Sequence, residues 1–282
     1  MMRKTIAHDI SIDGTALHSG SRVTLTLAPA ESGTGIVFRR NDLDGATIAA
    51  RHDLVTETRL GTVIAANGAS VGVIEHLMAA IAGAEIDDLL VVLDGPEPPI
   101  LDGDAASYLA LIDAASLTSQ PGTRQAIRVK QRVEARHGEA YAVLSPCDTR
   151  EFDFEISFAT PAIGTQHLVW NFSPEGFRRD IGPARTFGFL AELEALNAQG
   201  LARGASLENT LAIDGDGLAN AGLQRFPDEF VRHKILDAIG DLALAGGPLI
   251  GRFEGRRSGH ALNNALLRAL FADPANYEAI PA

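Results

Sequence analysis

The chain has one cysteine, Cys147, in 282 residues. An internal disulfide and a cysteine-only zinc site are both excluded by that count, and a reducing compartment is expected. Positive charge is in deficit: 24 Lys and Arg face 36 Asp and Glu, a net charge of -12, which excludes the broad basic face that wraps nucleic acid. A local basic cluster can still hold a phosphorylated ligand. Long apolar runs are missing, since Glu85, Asp87 and Asp88 interrupt the stretch that follows Glu75, so no membrane span is expected. The opening MMRKTIAHDISIDG has no apolar core of the kind a secretory signal carries, and a cytoplasmic protein is expected. The metalloprotease string H-E-x-x-H is also absent. What remains is 46% hydrophobic and 21% charged residues, an ordinary globular composition, in a length that suits one large domain or two of about 100–150 residues.

The pattern along the chain falls into two halves. Alternating runs at residues 5–12, 23–27, 35–39 and 59–65, with turns at Asp13-Gly14 and Asn67-Gly68, predict antiparallel strands. A helix is predicted over 73–82, a strand over 89–95 and a second helix over 105–115. The stretch 116–125 has no apolar periodicity and contains Pro121-Gly122, so a boundary is expected there, giving domains of 1–120 and 125–282. The second half repeats the plan with strands at 126–135, 139–144 and 151–159, an insertion, a helix at 230–245, a strand at 248–255 and a helix at 261–272. Setting IEHLMAAIAG beside VRHKILDAIG brings His76 opposite His233, which suggests a duplication with the site between the halves.

The chemistry concentrates in FVRHKILDAIGDL, where His233, Asp237 and Asp241 follow one another at four-residue steps on one helical face. The rest of that helix is apolar, so three titratable groups on a buried face need a metal or an ion network to satisfy them. An imidazole and a carboxylate so spaced supply half a metal site, and His76 is the candidate for the remainder. Glu75, adjacent to it, is suited to take a proton. Two histidines and a carboxylate also describe the facial triad of non-haem iron oxygenases, so the ligands alone do not select the reaction. His260, after Gly259 in RRSGHALNN, fits the start of the last helix.

Six ordered motifs carry a resemblance over nearly the whole chain: LHSG at 17–20, EHLMAAIAG at 75–83, LDGPEPPILDG at 93–103, ARTFGF at 184–189, DEFVRHKILDAIGDL at 228–242 and SGHALNN at 258–264. With them the chain resembles the UDP-3-O-(3-hydroxyacyl)-N-acetylglucosamine deacetylases, zinc amidases of lipid A biosynthesis. The resemblance implies an α+β fold of two similar domains whose sheets sandwich a central helical layer. It implies Zn2+, with Fe2+ as an alternative occupant, held by His76, His233 and Asp237. It further implies Glu75 as general base, His260 as the cationic acid, Asp241 as its orienting carboxylate and Thr186 as an oxyanion hydroxyl. Lys234, Phe187 and His18 are implied as substrate contacts. The expected partner is a UDP-linked, acylated amino sugar, bound by a monomer. An apolar acyl passage is expected from an insertion in the second domain, around 162–184 and ahead of 196–204. Lys234, Arg232, Arg252, Arg256 and Arg257 are the cations nearby for a diphosphate. The chain departs from the usual pattern at Gly61, Thr160 and Phe226, where cysteine, histidine and tyrosine are common. A binding protein that kept the scaffold and lost catalysis is the rival from outside the enzymes; the presence of Glu75, His260 and all three ligands argues against it.

Overall fold

The structure, a computed structural model, describes residues 1–282. It is an α+β fold in which two sheets enclose a layer of helices. The first sheet runs in the order Ile10–Thr15, Arg22–Pro29, Leu89–Leu93, Ile36–Arg40, Ala46–Ala49. Its neighbours are antiparallel except for Ile36–Arg40 and Leu89–Leu93, which run parallel. The second sheet places Val133–His137, Ala140–Ser145, Leu249–Arg256, Arg150–Ser157 and Thr165–Asn171 in the same succession, and again only the third and fourth of these strands pair in parallel. Two further strands, Gln125–Val129 and Tyr277–Pro281, complete it. Each half also carries a small three-stranded sheet, one from Val55–Glu57, Val63–Ala66 and Ala69–Val71 and one from Phe187–Phe189, Leu211–Asp214 and Gly217–Leu218.

The helices are α1 (Glu75–Gly83), α2 (Ala106–Ala114), the single turn α3 (Pro174–Gly176), α4 (Leu190–Ala198), α5 (Glu229–Ala243) and α6 (His260–Ala272). None is long and apolar enough to cross a membrane. In LIGRFEGR, at Leu249–Arg256, buried and half-buried residues alternate without a break, the period of a strand with one face on the core. In α5, by contrast, all but Arg232, Lys234 and Ala243 are buried, which places it inside the helical layer. It packs against α1, and one apolar cluster runs through both helices into both sheets, so the halves share a single core. Gly240 sets their separation. A Cβ there would lie 2.0 Å from the Glu75 carbonyl oxygen, so only glycine lets α5 rest directly on the α1 backbone.

Several elements depart from the sequence pattern. Asp13-Gly14 is not a turn but lies within a strand, where a Gly14 Cβ would meet Pro99 at 2.5 Å; the glycine serves a close approach. The run 59–65 is strand only from Val63, although the Asn67-Gly68 hairpin forms, with φ of 53° and 76°. The expected strand at 126–135 is two strands separated at residues 130–132. The apparent linker at 116–125 is largely the strand Leu117–Thr123, paired antiparallel with Met2–Ile6. Its side chains are mostly exposed, so nothing imposed an apolar period on it.

Candidate active site

The first turn of α1 and the middle of α5 meet at the centre of the helical layer. His233 and Asp237, one turn apart on α5, are joined there by His76 from α1. Nε2 of His233 is 3.3 Å and Nε2 of His76 is 3.6 Å from Asp237 Oδ1, and the two imidazoles meet edge to face at 4.9 Å. All three side chains are buried. His233 Nδ1–H donates to the Ala184 carbonyl at 3.1 Å, which leaves its Nε2 lone pair facing the carboxylate. Nothing bonds His76 Nδ1, so the protein does not fix that tautomer.

Asp237 Oδ1 is buried and accepts no hydrogen bond. Burial pushes His76 down to about 3 and His233 below its ordinary value, so both rings are neutral. Burial alone would raise Asp237, but the positive charge around it, above all the Lys234 ammonium 2.5 Å from Oδ2, outweighs that and holds it well below the usual carboxylate range. Two neutral imidazoles and an ionised carboxylate with an unsatisfied oxygen are the deprotonated donors a metal requires. His76, His233 and Asp237 therefore form a group that can hold a metal ion, with ligand atoms within 4.8 Å of one another.

A second set of groups borders this one. Glu75 is the first residue of α1, where the amide dipoles favour negative charge, and its Oε2 accepts the Thr62 N–H at 2.9 Å. Burial nevertheless raises its pKa to about 7, with Asp237 and Asp241 adding to the effect and His260 opposing it. His260, the first residue of α6, lies with Nε2 3.9 Å from Glu75 Oε1. Its Nδ1–H donates to Asp241 Oδ2 at 2.8 Å. Burial disfavours the imidazolium, but the carboxylates of Asp241, Glu75 and Asp237 prevail and raise its pKa to about 9. Asp241 is fully engaged, for Asn263 Nδ2–H also reaches Oδ2 at 2.8 Å and the Thr62 hydroxyl reaches Oδ1 at 2.5 Å. The centre thus holds a carboxylate poised to gain or lose a proton beside an imidazole that stays charged.

The remaining predicted residues fall at graded distances. The Phe187 ring stands edge-on to His233 at 6.1 Å and packs on Phe230 at 5.0 Å. Thr186 lies between Phe187 and the segment that supplies the Ala184 carbonyl, and its own N–H donates to the Gly103 carbonyl at 2.8 Å. His18 sits apart from the metal-ligating group: its Nδ1 accepts the Ala202 N–H at 3.3 Å and its Nε2–H donates to the Leu60 carbonyl at 3.0 Å. Both ring nitrogens are thereby committed to backbone. It lines a cavity of about 320 Å³ with Leu60, Gly61, Val63, Val73 and Leu201, next to Glu75.

Of the arginines, Arg252 and Arg256 lie on the half-buried outer face of Leu249–Arg256, away from the helices, and pair with Asp153. Arg257 pairs with Glu139 and Arg232 with Asp228. Ahead of 196–204 lies the strand Phe187–Phe189, from which α4 crosses to the parallel strand Leu211–Asp214. Thr62 and Asn263 were not legible as site residues. Thr62 had only its place two residues after Leu60 in TRLGT as a signal, and Asn263 its place three residues after His260.

Comparison with known proteins places these residues in a wider set. Residues 3–272 match the family model described as UDP-3-O-acyl N-acetylglycosamine deacetylase. A protein of that kind named UDP-3-O-acyl-N-acetylglucosamine deacetylase, from Myxococcus xanthus, is 46% identical over 281 residues, covering 99% of this chain and 90% of its own. One of the same name from Nitratiruptor sp. is 44% identical over 282 residues, covering 100% and 94%. Another from Phenylobacterium zucineum is 46% identical over 277 residues, covering 97% and 94%.

Proposed function

The chain belongs to the UDP-3-O-acyl N-acetylglycosamine deacetylase family, and from that premise we propose that it hydrolyses the N-acetyl group of UDP-3-O-(3-hydroxyacyl)-N-acetylglucosamine, releasing acetate and the free amine. The reaction is the committed step of lipid A biosynthesis, and its place is the cytoplasm. The observation that carries the reading is the buried Glu75 with the half-buried His260 beside it, 3.9 Å apart, against the His76–His233–Asp237 group.

Zinc is the ion proposed for that group, since two imidazoles and a carboxylate are a donor set it takes with one position left open, and ferrous iron fits the same donors. When bound, such an ion supplies a Lewis acid and acidifies water to near neutrality. Glu75 is the base that takes the proton of the attacking water; a carboxylate with a pKa of about 7 accepts a proton readily and gives it up again. His260, kept as imidazolium by Asp241, faces the developing negative charge and donates to the leaving amine. Thr186 offers a hydroxyl to the oxyanion. Lys234 and Phe187 contact the substrate, while His18 supports the cavity wall that the substrate enters. We also propose that 1–120 and 125–282 are duplicated domains, a reading supported by the common strand succession of the two main sheets.

The test is acetate release from UDP-3-O-(3-hydroxyacyl)-N-acetylglucosamine by as-purified, chelated and zinc-restored protein, alongside Glu75→Ala. Turnover that vanishes on chelation, returns with zinc and fails in the variant is expected. Substrate binding without acetate release by the zinc-loaded wild type would overturn the proposal.

A further inference from the structure

Glu229 has no exposed surface, and its hydrogen bonds reach none of the groups named in the site. Its carboxylate nevertheless takes four donors. Oε1 accepts the Arg185 N–H at 3.0 Å and Arg185 Nε–H at 3.1 Å; Oε2 accepts the Arg225 N–H at 2.5 Å and the Phe226 N–H at 3.3 Å. A buried carboxylate is costly unless its lone pairs are filled, and here every donor comes from one of two segments, 183–187 or 225–226. Arg225 then reaches back to close the ring, donating to the Pro183 carbonyl at 2.7 Å and to Asp104. Arg185 Nη2–H donates to the Leu223 carbonyl.

The segment so held delivers two components to the centre: the Ala184 carbonyl that orients His233 and the Phe187 ring beside it. Glu229 is also the first residue of α5, the helix that carries His233, Lys234, Asp237 and Asp241. We infer that Glu229 is a positioning residue that locks the register of the 183–187 segment against α5, so that the Ala184 carbonyl and the Phe187 ring meet His233 together. The partner of a ligating imidazole affects metal affinity by about 10–100-fold, which gives Glu229 a reach of two steps into the metal group through Arg185 and Ala184. Its role in turnover rests on the deacetylase reading; its role in metal affinity does not.

The experiment compares wild type with Glu229→Gln, which keeps the shape but turns an NH2 toward the Arg225 and Phe226 donors, and with Arg185→Lys, which keeps the charge and the backbone N–H but loses the guanidinium fork. Zinc affinity is measured by competition with a chelator, and kcat and KM for acetate release are measured at saturating zinc. In Glu229→Gln the zinc dissociation constant is expected to rise about tenfold and kcat to fall at least about tenfold, with KM within about twofold. Arg185→Lys is expected to move both quantities the same way by a smaller factor, and it carries the test if Glu229→Gln does not fold. Unchanged zinc affinity and unchanged kcat in a folded variant would overturn the inference, as would losses of thermal stability with neither quantity moved. If wild type releases no acetate, the deacetylase reading fails, and the zinc measurement alone decides the role of Glu229.

Discussion

Replacing Asp241 by asparagine removes one charge while keeping the size of the side chain, and its effect should depend on pH. In the wild type the His260 imidazolium survives burial because Asp241 faces its Nδ1–H at 2.8 Å, with Glu75 and Asp237 assisting, and its pKa stands at about 9. Without that charge the burial penalty remains and only Glu75 and Asp237 oppose it, so the pKa should fall to near the ordinary value of about 6.5. The protonated fraction at about pH 8 then drops from roughly nine-tenths to roughly one-thirtieth, a loss of about 30-fold in any step that needs the acid. At about pH 6 both forms are mostly protonated, and the titration contributes less than about twofold. Asparagine must also point an NH2 at either the Thr62 hydroxyl or the donors of His260 and Asn263, and that mismatch lowers activity at every pH; the pH-dependent part isolates the charge. The assay is kcat/KM for acetate release from about pH 5.5 to 9.5 in zinc-loaded protein. A bound cation lowers the pKa of Glu75 and of His260 in wild type and variant alike, so the comparison survives it. The descending limb should move to lower pH while the ascending limb, which reports ionisation of Glu75, stays. A descending limb at the same pH in Asp241→Asn would refute the assignment of His260 as the acid that Asp241 keeps charged.

Other expectations follow from the same geometry. Gly240→Ala puts a Cβ 2.0 Å from the Glu75 carbonyl, and the overpacking cost of about 1–3 kcal/mol should exceed the gain of about 1 kcal/mol in helix propensity, so Tm and zinc affinity should both fall. A variant as stable as wild type would show that α1 and α5 separate without penalty. Arg252→Ala, on the outer face of the second sheet, should change kcat/KM by less than about twofold, because Arg252 pairs with Glu151 and Asp153, touches no group of the site, and leaves Asp153 its pairs with Arg256 and His167; a KM raised tenfold would put the diphosphate on that face. Chelation should lower Tm by about 10 °C relative to protein held at about a thousand times the zinc dissociation constant, and identical melting curves would mean that the ion does not bind the folded group.

Much of the centre could be read from the chain. His233, Asp237 and Asp241 are spaced so that one helix face must carry all three, and the parallel between IEHLMAAIAG and VRHKILDAIG led to His76, which the fold brings to the same point. Helix positions were legible because buried faces force an apolar period of about 3.6 residues. The strand at Leu117–Thr123 was not, because a ribbon held by backbone hydrogen bonds to Met2–Ile6 places no demand on side chains that face water. Thr62 and Glu229 escaped for another reason: each acts through a partner more than 40 residues away or through backbone donors, and neither leaves a periodic trace. Asp13-Gly14 misled because glycine marks close approach as well as turns, and only the position of Pro99 distinguishes them.

The contact at Gly240 ties the tolerance of the whole chain to one point. Residues 75 and 240 belong to different halves, yet their backbones rest on each other, so a shift in either main sheet is transmitted to the place where His76 faces Asp237. The helix α4, none of whose residues is buried, lies off this bearing surface. Length and sequence there can drift, while the seat of the helices admits almost no change. Selection is thus free to rework that helix without disturbing the point on which the two halves rest.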